Sequence, residues 1–232
     1  MKRIMTSLVV FLLVVGFTTA ASALSIDYTA LTTGQTNVSS ALGWNATATG
    51  GTFQTKSQAG WTGVGISGGY SGNEIDVAQS ILFKFDSAQI ISDFTLTLLF
   101  SQGPYRDPNE VAKILVNNTS WYYLTAKYPA PAATWVGTSI SGATIENLSP
   151  ANTTSGAAVW KVSNPFGDTA VTSLLFSAKE VVAGYGQDSD YCFNHLNTVP
   201  DPVPAPVPEP ATLMLLGSGL LGLTGFRKKM KK

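Results

Sequence analysis

One cysteine and one histidine stand in a chain of 232 residues. A lone thiol closes no internal disulfide, which excludes a small secreted scaffold held by cross-links. Zinc centres built on Cys and His clusters are excluded with it. Charge is scarce as well. Only 12% of the residues are charged, about half the usual quarter, and 14 basic residues cancel 14 acidic ones. Binding to nucleic acid through phosphates needs a basic surplus that this chain lacks. Helix-period apolar patterning is missing from its middle. Glycine, with 22 copies, and an apolar fraction of 44% are what it has in quantity. The length suits one domain plus processing segments.

Long apolar runs occur only at the two ends. Met1-Lys2-Arg3 opens the chain, Leu8 to Phe17 is apolar, and small residues follow at Ala21-Ser22-Ala23. Basic, apolar and small-residue regions in that order make a secretory signal peptide, residues 1–23, cut after Ala23 by signal peptidase. An uncleaved anchor is the weaker reading, because the run is short for a spanning helix. The second run, residues 211–226, spans about 24 Å as a helix, slightly less than a hydrocarbon core of about 30 Å. Residues 227–232 follow as a basic tail with Arg227, Lys228 and Lys229 at its head. Positive residues stay cytoplasmic, so the preceding domain lies across the membrane. A buried helix of a soluble fold rarely ends this way.

Residues 200–210 alternate proline with other residues, including Val207, Pro208, Glu209 and Pro210. Such a run forms neither helix nor central strand and extends as a polyproline II stalk. Pro-Glu-Pro, apolar helix and basic cluster, in order at the chain end, resemble the PEP-CTERM sorting signal of Gram-negative bacteria. The resemblance covers about the last 25 residues. It implies that exosortase, a membrane-embedded cysteine transpeptidase, recognises Pro208, Glu209 and Pro210 and removes the helix. It also implies an inner-membrane-tethered precursor that ends at the cell surface or in the extracellular matrix and biofilm. Met230 among the lysines is a mild departure from the pattern.

Residues 24–199 read as the ectodomain. Short runs with period-two alternation are separated by Gly, Asn, Pro and Ser clusters. The clearest are Ser80 to Asp86, Ile90 to Phe100, Val111 to Val116, Ser120 to Ala126, Ala157 to Ser163 and Val171 to Ser177. Ile26 to Leu31, Gly51 to Lys56 and Gly63 to Ile66 are earlier candidates. This spacing predicts a mainly β fold, an antiparallel β-sandwich with jelly-roll or immunoglobulin-like order undecided. Asn73-Glu74-Ile75-Asp76, the strand Phe94 to Phe100 and Asn109-Glu110-Val111 resemble the β-rich ectodomains found on PEP-CTERM proteins, over Gly68 to Val116. That resemblance implies no chemistry.

Acids and amides cluster in loops: Asn73, Glu74 and Asp76; Asp107, Asn109 and Glu110; Asp188 and Asp190. Such oxygens suit calcium, the one cofactor left open. None matches an EF-hand loop or a nonapeptide repeat, and turns favour Asp and Asn for backbone reasons alone. Glu74 and Glu110 give no recognisable glycosidase pair. His195 is read as a surface residue, loosely placed before the stalk. Ser67 in Gly65-Ile66-Ser67-Gly68 lacks the strand-to-helix context of a nucleophile elbow. Cys192 is read as a buried small hydrophobe. Sequons at Asn37, Asn45, Asn117, Asn118, Asn147 and Asn152 record an Asn/Thr-rich exported surface.

Aromatic residues offer a second function. Trp121, Tyr122 and Tyr123 are adjacent, so two share one sheet face. Tyr70 and Tyr105 lie in polar loops. Tyr105 and Trp121 are the ligand-binding candidates for an exopolysaccharide partner, although core packing accounts for most such rings. The expectation is an exported, non-enzymatic domain without a nucleic-acid partner, and the alternative is a carbohydrate-binding module shaped by calcium. Neutrality also breaks down by segment. Residues 24–208 hold seven basic against 13 acidic residues, a net charge of −6.

Overall fold

The computed structural model describes residues 22–58, 60–101, 109–127, 132–138, 140–149, 159–181 and 189–200. Residues 1–21 of the signal peptide, residues 201–210 of the expected stalk, the apolar C-terminal segment and the basic tail lie outside them.

The described residues form 13 strands: β1 (Ser25–Asp27), β2 (Asn37–Ser40), β3 (Trp44–Thr49), β4 (Phe53–Gln58), β5 (Trp61–Ile66), β6 (Ser80–Thr97), β7 (Val111–Val116), β8 (Ser120–Lys127), β9 (Ala132–Val136), β10 (Thr144–Asn147), β11 (Val159–Ser163), β12 (Val171–Ala178) and β13 (Cys192–Pro200). A 3-10 turn, Tyr28–Ala30, is the one helical element among the described residues. Every pairing is antiparallel. The mainly β, antiparallel expectation therefore holds.

The two strands expected on either side of residue 87 are one strand, β6. Asp86-Ser87-Ala88 carries no Gly, Asn or Pro to reverse the chain, so the backbone stays extended and changes partners instead. Its first half pairs with β3 on one side and β12 on the other. Its second half pairs with β11 and β13. One half of the fold runs β3-β6-β12-β7-β8-β9, and the other runs β4-β5-β13-β6-β11-β10. Because β6 belongs to both, the hydrogen bonding is continuous through all 13 strands.

Alternation sets the faces. Ile81, Phe83 and Phe85 are buried, while Lys84 and Asp86 are exposed. Phe83 meets Phe176 of β12 edge-on at 5.9 Å and Phe193 of β13 at 4.9 Å. Phe94, Tyr122, Trp135 and Phe166 form a neighbouring ring cluster. Offset and edge-on rings of this kind add to what their buried area contributes. Trp135 Nε1 donates to Pro165 O at 2.8 Å and Trp160 Nε1 to Leu99 O at 3.0 Å, so both buried indoles keep a partner.

His195 is a correction. It sits within β13, half-buried, opposite Asp27 of β1, and is not loosely placed. The apolar alternation that marks the other strands is broken in β13 by Asn194, His195 and Asn197.

Candidate functional site

Two groupings of polar and aromatic side chains stand out. The first lies beneath the β5–β6 loop. Gly65 of β5 lets this loop pack directly on the strand: a Cβ there would fall 2.3 Å from Asn73 O and 2.5 Å from Glu74 Cα. Asn73 takes a left-handed conformation, φ 59°, one that Asn tolerates. Glu74 and Asp76 turn inward and are buried.

Lys56 of β4 reaches Glu74, with Nζ 2.6 Å from Oε2, and also donates to Ser71 O at 3.0 Å. Ser71 Oγ donates to Asp190 Oδ2 at 2.5 Å. Glu74 and Asp190 are themselves hydrogen-bonded. Burial first, and the Asp190 charge second, push the Glu74 carboxyl up to about 8 despite Lys56. Burial also raises Asp190, against the hydrogen bonds from Ser71 and Glu74. One ammonium balances one carboxylate, so the second carboxyl retains a proton. Burial pushes the Cys192 thiol well above its ordinary value, and its Sγ lies 3.7 Å from Asn73 O. Cys192 is a buried free cysteine.

Asp76 and Gln79 close the other side of the loop. Gln79 Oε1 accepts from Asp76 N at 3.1 Å, and Nε2 donates to Ser67 O at 3.1 Å and Gly50 O at 3.3 Å. They line a half-open pocket of about 380 Å³ beside Gly69 and Tyr70, whose side chain is 70% exposed.

The grouping brings Asn73, Glu74, Asp76 and Asp190 together, but not as a cation cage. Lys56 supplies the positive charge at Glu74. Glu110 is engaged elsewhere, accepting from Phe100 N, while Val111 N donates to Ser189 Oγ at 3.0 Å. Asn109 stands at the same entry to β7. Among the described residues no group of three or more His, Cys, Asp or Glu is placed to hold a metal ion. Asp107, Asp188 and Tyr105 lie outside the described residues. Sequence reasoning missed Lys56 and Ser71, since nothing local ties Lys56 to a loop 18 residues away.

Ser25, His195 and Asp27 also meet. His195 Nε2 is 2.8 Å from Asn197 Oδ1 but 3.5 Å from Ser25 Oγ, and Nδ1 is 3.9 Å from Asp27 Oδ2. The ring nitrogen that would activate Ser25 is closer to Asn197, and Asp27 is beyond hydrogen-bond range. Ser67, at the end of β5, enters a turn and not a helix, with Oγ 2.8 Å from Thr52 Oγ1.

The second grouping is on the sheet face opposite the core. Tyr122 points into the core and stacks on Trp135 at 5.5 Å, which leaves Trp121 and Tyr123 on the outer face. Lys113 Nζ stands 3.9 Å from the Trp121 ring centroid, and Lys179 Nζ stands 5.2 Å from that of Tyr123. Trp121 was expected here; the lysines were not, because only strand pairing brings them beside the rings.

An antiparallel β domain ahead of a proline-rich segment, an apolar segment and a basic tail is the layout of a protein with a C-terminal sorting signal. That signal is shown: the family model of the PEP-CTERM protein-sorting motif matches residues 206–229, which include Val207, Pro208, Glu209, Pro210, Arg227, Lys228 and Lys229. The motif implies an exported, membrane-anchored precursor processed by exosortase. No curated protein and no solved structure matches the chain.

Proposed function

We propose that the chain is an exported cell-surface or matrix protein whose mature form is the β domain, freed from its membrane anchor when exosortase acts at Pro208-Glu209-Pro210. Signal peptidase removes residues 1–23 first, the sequence ending at Ala21 and Ala23 being its recognition site. Residues 211–226 then hold the precursor in the inner membrane, with Arg227, Lys228 and Lys229 on the cytoplasmic side. The motif at residues 206–229 carries this reading. The domain acts without catalysis. Its two halves stack as a sandwich, a reading supported by the close approach of the Phe83 and Phe193 rings.

Replacing Pro208, Glu209 and Pro210 by alanine tests the sorting step. The variant is expected to accumulate uncut in the membrane fraction, while the parent chain leaves it. Equal surface yields from both would overturn the reading.

A second reading is favoured by Trp121 and Tyr123: the mature domain is a carbohydrate-binding module. Two aromatic rings on one exposed sheet face suit the apolar faces of sugar rings.

A further inference from the structure

We propose that the outer face of β6-β12-β7-β8-β9 binds an acidic polysaccharide, a chain of sugars carrying carboxylate or sulfate groups. This inference rests on the carbohydrate-binding reading and gives it a site and a ligand charge.

The strand registers build the face. Leu82 pairs with Leu175, Leu175 with Leu115, and Leu115 with Trp121. All four are half-exposed, so they form an apolar row straight across four strands. At about 4.8 Å per strand the row is roughly 14 Å long. Beside it, Lys113 pairs with Tyr123 and Tyr123 with Val136, which is 57% exposed. An apolar row bordered by aromatic rings is a surface for a ligand with an apolar face and polar edges.

Charge specifies the ligand further. Residues 24–208 are acidic overall, with six lysines and one arginine. Four of those lysines lie on this one face: Lys84 on one side of the row, and Lys113, Lys179 and Lys127 on the other. Among the described residues the ion pairs are Lys56–Glu74, Lys161–Asp93 and His195–Asp27, and none of the four takes part. Asp86 and Glu180 stand at the margins of the face. Lys113 and Lys179 are held over aromatic rings, which attract a cation without neutralising it. An acidic domain that gathers its cations along an apolar, aromatic row presents a complement to a linear polyanion with sugar-like faces.

The test uses the full-length chain, purified in a detergent without sugar, against alginate, neutral dextran and phosphatidylglycerol vesicles. Alginate is expected to bind, and binding to weaken as salt rises. A Lys113→Gln, Lys179→Gln double variant should lose at least tenfold in alginate affinity. Lys161→Gln, on the other half of the fold, should lose nothing. Both lysine changes are at surface positions, and matching melting curves exclude misfolding; Trp121→Ala is the second probe and should also weaken binding. Equal binding of dextran and alginate, unaffected by the lysine changes, overturns the ligand charge but leaves the carbohydrate reading. Vesicle binding with the same lysine dependence overturns the sugar assignment. Binding to no polysaccharide overturns both.

Discussion

Glu74 concentrates the residue-scale physics of the domain. It shares a buried site with Asp190, and one ammonium, from Lys56, faces the pair. Its folded pKa, about 8, lies above the ordinary 4.5. Between those values the folded chain holds a proton that the unfolded chain has released. Stability is therefore fullest below about 4.5 on this account and falls as pH rises toward 8; Asp190, also raised, acts in the same direction. The melting temperature should drop across that window, and Glu74→Gln should flatten the profile. A melting temperature that climbs between pH 5 and 8 contradicts the assignment. Gly65 makes a second prediction. An added methyl would strike backbone at Asn73 and Glu74, and backbone has no rotamer to relax into. Gly65→Ala should cost about 1–3 kcal/mol in denaturant unfolding. The sequence announced the acids of this loop but not their partner, because a lysine on an alternating strand looks like any solvated lysine.

At the scale of elements, the turn between β7 and β8 shows how local residues fix strand pairing. Asn117 and Asn118 both have positive φ, 50° and 57°, as a tight hairpin turn requires. Asn117 Oδ1 accepts from the Thr172 and Ser173 amides at 2.8 and 3.2 Å, and Nδ2 donates to Ala170 O at 2.8 Å. That side chain ties the turn to the start of β12. Asn117→Ala should cost about 1–3 kcal/mol in denaturant unfolding, whereas Asn118→Gly should stay near zero. An Asn117→Gly variant, which keeps the positive φ free of strain, should show most of the same loss, and no loss there would show that the Asn117 side-chain bonds do not hold the turn. Asn117 and Asn118 thus serve the fold, although as a sequence their sequons read only as an Asn/Thr-rich exported surface. Where apolar and polar residues alternated cleanly, as in β7, β8 and β12, the strands were legible. Short strands such as β2 and β10 were not, since four residues at an edge carry too little pattern. β13 was hidden by its polar Asn194, His195 and Asn197: Asn194 bonds to Thr62 of β5, Asn197 to Asp93 of β6, and His195 to Asn197 along the same strand. Period two cannot say which strands pair, so the lysine and aromatic face came only with the registers.

For the whole molecule, a net charge of zero describes a chain that, on the proposed processing, does not stay in one piece. The termini hold half of its basic residues, and the remainder carries −6. Within that acidic remainder four lysines collect on one face, so the uneven distribution recurs inside the domain. On the proposed processing, two basic ends that set membrane topology are removed from the acidic β domain between them. The direct measurement is the intact mass of the protein recovered from the surface or medium of its own cells. The account predicts a chain that starts at Leu24 and ends near Pro208-Glu209-Pro210. A surface protein that retains residues 211–232, with Lys232 at its end, would contradict it.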